Sequence, residues 1–177
     1  VSNRTLDRMV TVSQSLKKAI ENKTKIDKKI IDVIYNGVSI DNMLSSDLHR
    51  SETNYVKGLS VGIIGTLQER KGHQFLFRSW VTVLKKFPDA SLYVVASSHS
   101  GDKDKLIAVA KELKIEQSIA WIEFTKHVGD IYQQLDVVVM PSLEYESFGR
   151  IIVEAMAFSV PIIATKVGGM PELIDHG

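Results

Sequence analysis

From Leu59 onward the chain alternates between two kinds of segment. Short, nearly continuous apolar runs recur as LSVGII, SLYVVA, IAWIEF, DVVVM and PIIAT. Between them lie stretches with helical spacing. One runs from about His73 to Phe87 with Phe75, Leu76, Trp80, Val83 and Leu84 on one face, and Pro88-Asp89 stops it. A second is DKDKLIAVAKELK, a third is a short amphipathic piece from Val128 to Leu135, and a fourth covers Phe148 to Phe158. A last helix start stands at Pro171, a favourable first helical residue. Apolar strands separated by helices predict an α/β domain, a parallel sheet covered on both faces. In such sheets ligands sit in the crevice beyond the carboxyl ends of the strands.

The first part of the chain is built differently. Arg8 to Val12 predicts a short strand, Ser13 a helix cap, and QSLKKAIEN the helix it starts. IIDVIY predicts a second strand, and Asn36-Gly37 directly after it is a turn signal. The lysines from Lys17 to Lys29 read as a solvated helix face. Residues 39–58 are polar, with Asn42, Ser45, Ser46, Asp47 and Asn54, and read as a linker carrying His49 and Arg50 on the surface.

Composition narrows the function. A formal charge of +1 gives no case for nucleic acid or an acidic polymer as partner. The absence of cysteine excludes disulfides and thiolate chemistry and fits a reducing, cytoplasmic compartment. No apolar run reaches the length of a membrane-spanning helix, which leaves membrane association to a longer protein. The opening Val1 suggests a piece excised from such a protein. The histidines, His73, His99, His127 and His176 among them, show no metal-ligand spacing, and no Asp-x-Asp stands out as a metal-diphosphate site. Trp80 and Trp121 take core positions. The Gly-x-Gly-x-x-Gly of dinucleotide-binding proteins is absent after the first strand of the sheet.

Candidate chemistry concentrates between Pro141 and Ile174. Glu146 and Glu154 have seven residues between them, and Ser147 is placed to cap the helix that follows. At the helical rise the two carboxylates would stand roughly 10–12 Å apart across a helix N-terminus that favours anions. A carboxylate accepts hydrogen bonds only and suits sugar hydroxyls, so carboxylate, helix start and carboxylate together fit a nucleotide sugar. This stretch resembles the donor-binding signature of retaining glycosyltransferases of family 4, which have the two-domain GT-B fold. The resemblance rests on the Pro-Ser opening, Glu146, Phe148-Gly149, Glu154-Ala-Met-Ala, Pro161, Ala164-Thr165, Gly168-Gly169 and Glu172. The pieces TVSQSL and VIYNGV resemble the same family.

The resemblance implies a Rossmann-like domain, the C-terminal half of a GT-B fold. It makes residues 1–35 a remnant of the acceptor-side domain, 36–58 the linker, and 59–177 the nucleotide-sugar-binding domain, truncated at its end. It assigns Glu154 to the ribose hydroxyls and Glu146 to hydroxyls of the transferred sugar. Backbone N–H groups of Phe148 and Gly149 would contact the donor, with Ser147, Gly169 and Glu172 at further family positions. The turn from Gly65 to Gly72 resembles the loop whose Arg and Lys hold the donor diphosphate. Thr66 stands where the family usually has Arg, which leaves Lys71 as the expected cation, with Arg70 as the donor-binding substitute for the missing one although, next to Lys71, it would tend to point another way.

The implied reaction moves a sugar, with retention, from a UDP-, GDP- or ADP-sugar to a glycan or lipid-linked acceptor bound by the missing domain. Lys71 and Glu146 would carry the catalytic roles, and no metal or other cofactor is required. The residues by themselves would bind donor weakly and transfer nothing. Two alternatives stay open, a nucleotide-sugar-binding module without transfer and another GT-B-like enzyme such as a sugar-nucleotide epimerase or a phosphorylase.

Overall fold

A computed structural model describes residues 6–44, 58–97 and 102–175. Ser45, Ser46, Asp47, His49, Arg50, Asn54, His99 and His176 lie outside the described residues, as does most of the Ser97–Gly101 loop. The chain opens with a small parallel pair, β1 (Met9–Thr11) and β2 (Ile31–Val33), joined by helix α1 (Gln14–Lys23). Ser13 caps α1 as expected, its side chain accepting from the Leu16 N–H at 3.0 Å. Asn36-Gly37 forms no hydrogen-bonded turn; residues 34–39 belong to no helix, strand or turn. That dipeptide favours the tight turns that close antiparallel hairpins, and here both flanking sheets are parallel.

The second sheet follows the predicted alternation. Its strands are β3 (Ser60–Ile64), β4 (Ser91–Ala96), β5 (Ile119–Glu123), β6 (Val137–Met140) and β7 (Ile162–Ala164), all parallel, in the order β5-β4-β3-β6-β7. Helix α2 (His73–Lys86) connects β3 to β4, α3 (Lys103–Glu112) connects β4 to β5, the short α4 (Gly129–Tyr132) precedes β6, and α5 (Arg150–Ala157) connects β6 to β7. Alternate residues of the central strands feed the two faces. Leu92 and Val94 pack with Leu76, Phe77, Trp80, Leu106 and Ala110, while Tyr93 and Val95 pack with Ile131, Tyr132, Leu135 and Ala155. A buried side chain of this size contributes about 1.5–3 kcal/mol relative to an exposed one. The two cores therefore fix the sheet between its helix layers.

Three sequence expectations change. The buried stripe of α2 runs through His73, Leu76, Phe77 and Trp80, and Phe75 is exposed. Positions three and four apart stack on one helix face, and Phe75 lies nearly half a turn from the centre of that stripe. The piece from Val128 to Leu135 holds only one α-helical turn. The start expected at Pro171 is a single 3-10 turn, Met170–Glu172. Trp80 is in the core, its indole N–H donating to the Ser118 hydroxyl at 2.9 Å, and Trp121 meets Phe77 edge to face.

Candidate functional site

Strand order places the site. From β3 the chain moves outward through α2 to β4, whereas from β6 it moves the opposite way through α5 to β7. The loops after β3 and β6 therefore part from each other, opening a crevice at the carboxyl ends of these neighbouring strands. The first loop is residues 65–72 and the second 141–149. They are tied by a backbone bond from the Leu143 N–H to the Arg70 carbonyl, 2.8 Å.

Glu146 lies at this junction. Its Oε1 accepts from Lys71 Nζ at 2.5 Å, the Ser142 hydroxyl at 3.0 Å and the Arg70 guanidinium at 3.2 Å. Its side chain is 11% exposed, against 20% for Lys71 and 38% for Arg70. Arg70 does not turn away from its neighbour. Both residues lie in the 3-10 turn Glu69–Lys71, from which both cations reach one carboxylate oxygen, and Gln68 Oε1 accepts from Arg70 Nε at 2.9 Å. Thr66 is exposed. Gly65 closes β3, with its N–H on the Val95 carbonyl and open space where a side chain would stand.

The second carboxylate is held apart from the first. Glu154 is buried on α5, with Oε2 accepting from the Tyr132 hydroxyl at 2.9 Å and Oε1 from Arg150 Nε at 2.6 Å. Burial and the adjacent Glu154 charge raise the Tyr132 pKa, so the phenol remains a donor to the carboxylate. Glu154 and Arg150 form one wall of a cleft of about 390 Å³, with Gly37, Val38, Phe124, Lys126 and Val128 among the other walls. A carboxylate offers about four acceptor positions, so two bonds leave Glu154 room for ligand hydroxyls.

The helix expected from Phe148 starts at Arg150, with Gly149 rather than Ser147 before it. Ser147 does not cap it. Instead Gly149 takes a left-handed conformation (φ +99°), which breaks the helical path just ahead of Arg150. Glu146 consequently stands in a loop, and helical rise does not set its separation from Glu154. Phe148 is buried and its ring lies 6.1 Å from that of Tyr35, so its side chain anchors the loop.

The Gly168-Gly169 turn is a packed contact. The Gly169 N–H donates to the Glu146 carbonyl at 2.8 Å, and a side chain at Gly168 would meet that same carbonyl at 1.9 Å. Glu172 faces the start of α1. Its oxygens accept from the Ser15 N–H at 2.7 Å, the Gln14 N–H at 2.8 Å and the Tyr35 hydroxyl at 3.0 Å. Partial burial raises its pKa, but these donors together with Lys18 outweigh that and leave it below the ordinary glutamate value. Sequence reasoning missed Tyr132, Arg150 and Ser142. Arg150 is four residues before Glu154, a spacing that places the pair on one helix face; Ser142 belongs to the Pro-Ser opening of the signature but was given no role, and Tyr132 carries no local signal.

Comparison with known proteins gives the family and the fold. Residues 58–177 match the sequence profile of the family described as glycosyl transferases group 1. An uncharacterized glycosyltransferase of Methanocaldococcus jannaschii is 31% identical over 183 residues, covering 95% of this chain and 44% of the relative. A D-inositol 3-phosphate glycosyltransferase of Corynebacterium jeikeium is 34% identical over 124 residues, 66% of this chain and 29% of its own length. The chain thus spans less than half the length of these curated relatives. Among solved structures, Anabaena HepE in complex with UDP and glucose superposes with a TM-score of 0.87 at 26% identity, covering 99% of this chain and 48% of that one.

Proposed function

We propose that this chain, which belongs to the glycosyl transferases group 1 family, is the donor-binding part of an enzyme that moves a sugar from a nucleotide diphosphate sugar. The observation that supports this most is the meeting of Lys71, Arg70 and Glu146 from two loops at the point where the strand order reverses. Two cations and a carboxylate suit the two halves of such a donor, diphosphate and sugar hydroxyls. Glu154, in its own cleft, suits the ribose. A solved relative that holds UDP and glucose supports a UDP-sugar as the first donor to try, ahead of GDP- and ADP-sugars.

In this reading residues 59–177 bind the donor, 36–58 are the linker, and 1–35 border the acceptor side. The acceptor, a glycan or lipid-linked sugar, meets the part of the relatives' length that this chain does not span. The chain alone would bind donor weakly and transfer nothing. As the bond to the leaving phosphate breaks, negative charge gathers on the diphosphate. Lys71 and Arg70 neutralise it, helped by the free N–H groups at the start of α5, all held in place beforehand. Glu146 shares its Oε1 among three donors, which argues against its acting as a nucleophile. The resemblance to family 4 supplies the rest of the reading, retention by reaction on one face of the sugar without a metal ion.

The test is release of nucleoside diphosphate by the whole enzyme that carries these residues. Lys71→Ala should lower kcat by about a hundredfold, the scale seen when one preorganised charge-stabilising group is removed. An unchanged kcat would contradict the leaving-group role. A binding module without transfer is the second reading, favoured by the exposed Thr66. A sharp rise in turnover with Thr66→Arg would support it as a lapsed enzyme.

A further inference from the structure

Four consecutive residues centred on Glu146 are each held from outside their own loop. The Tyr145 hydroxyl accepts from the Ser15 hydroxyl at 3.3 Å. The Glu146 carbonyl accepts from the Gly169 N–H, and the Ser147 carbonyl from the Ser13 hydroxyl at 2.5 Å. The Phe148 ring meets the Tyr35 ring. Two of the tethers end at the N-terminus of α1, and the other two, from Gly169 and Tyr35, reach it through Glu172. Ser13 is fully buried and bonds both ways, accepting from Leu16 N–H and donating to Ser147. Glu172 then occupies the two N–H groups that Ser13 leaves, those of Ser15 through Oε1 and Gln14 through Oε2, and Oε2 also accepts from the Tyr35 hydroxyl. Because the Glu172 N–H donates to the Gly169 carbonyl at 3.1 Å, the 168–172 turn is locked to α1 at one end and to Glu146 at the other.

We propose that Ser13 and Glu172 are positioning residues for Glu146: they clamp the sugar-facing loop to the start of α1 while leaving the Glu154 cleft untouched. The inference rests on the reading of Glu146 as the sugar-side carboxylate. Chemically, the clamp is a negative charge and a hydroxyl satisfying three of the four unpaired N–H groups of one helix. Its effect falls on the loop that presents Glu146, because each tether ends on the 145–148 backbone or on a side chain there. Glu154 is held by Tyr132 and Arg150, which share no partner with Glu172.

The two carboxylates thus answer to different supports, and this separates positioning from general stability. Calorimetric titration of this chain would use UDP, GDP and ADP, each paired with its glucose ester, and continue with the pair that binds. Glu172→Ala and Ser13→Ala should leave affinity for the nucleotide within about twofold and lower affinity for the nucleotide glucose by at least about fivefold, within the range of ordinary coupling between sites. Glu172→Gln, whose amide oxygen still accepts, should restore part of the sugar's contribution. Amide hydrogen exchange in Glu172→Ala should quicken over residues 145–149 and 168–170 and stay unchanged over the second half of α5.

A parallel loss for nucleotide and nucleotide glucose, or unchanged sugar affinity despite faster exchange, would overturn the inference. Glu146→Ala separates the two layers. If it lowers nucleotide-glucose affinity and Glu172→Ala does not, only the clamp fails. If Glu146→Ala has no effect, or no pair binds, the reading of Glu146 fails and the clamp with it.

Discussion

Tyr132 and His73 show how much a single buried side chain decides here. Tyr132 is fully buried, stacked on Phe158 with ring centroids 5.7 Å apart, and its hydroxyl is half of what holds Glu154. Tyr132→Phe keeps the ring and deletes one bond to a buried carboxylate. It should cost about 1.5–3 kcal/mol of stability, the usual worth of a bond to a charged group, and weaken nucleotide binding in step. Thermal melts and titrations of the same variant check both. His73 is 2% exposed, neither ring nitrogen has a protein partner, and burial with the neighbouring Lys71 charge brings its pKa from 6.5 to about 4.

Glu172 also titrates below its ordinary value of 4.5. A depressed folded-state pKa contributes stability that is complete above the unfolded value and disappears as pH falls through the folded one. His73 should therefore remove up to ~3 kcal/mol between pH 6.5 and about 4, with the Glu172 contribution following below pH 4.5. Denaturant midpoints across that range would show a steep fall in the native chain and a shallower one in His73→Phe. Equal slopes would contradict the account.

At the level of elements, the 168–172 turn matters more than its length suggests. Gly168 has φ +56°, and a Cβ there would meet backbone atoms of Glu146, its carbonyl oxygen at 1.9 Å and its nitrogen at 2.7 Å. Neither is the end of a flexible side chain, so the loop itself would have to move. Gly168→Ala should cost at least about 1–3 kcal/mol for the strained backbone, and more for the displaced loop. Its melting temperature should fall further than that of an alanine placed at exposed Gly37, where nothing lies nearby.

Most elements were legible in the sequence because apolar runs and helical periods follow from burial on both faces of one sheet. α2 starts and stops within a residue of its expected limits. The start of α5 was not legible. Ser147 has the chemistry of a cap, but its neighbour Gly149 breaks the helical path two residues later, and Ser13, far away in sequence, claims the Ser147 carbonyl. The reach of Arg70 to Glu146 and the hold of Glu172 on α1 join residues 76 and 157 or more positions apart, which local pattern cannot show.

For the molecule as a whole, the parallel order β5-β4-β3-β6-β7 makes the crevice, and side chains from loops distant in sequence make it chemically specific. Lys71 and Arg70 arrive after β3, Glu146 after β6, Glu154 from α5, and the clamp from the first helix. Each of these parts was named from the sequence or lies next to one that was, while their convergence is a property of the fold. The central claim is that the Glu154 cleft receives a nucleoside and the Lys71–Glu146 junction the remainder of the donor. Its most direct test is calorimetric titration of this chain with UDP, GDP and ADP, beside Glu154→Ala. The account predicts binding of one nucleotide, weakened about tenfold or more by Glu154→Ala through the loss of charge-assisted bonds to the ribose. Binding that Glu154→Ala leaves unchanged would place the nucleoside elsewhere and contradict it.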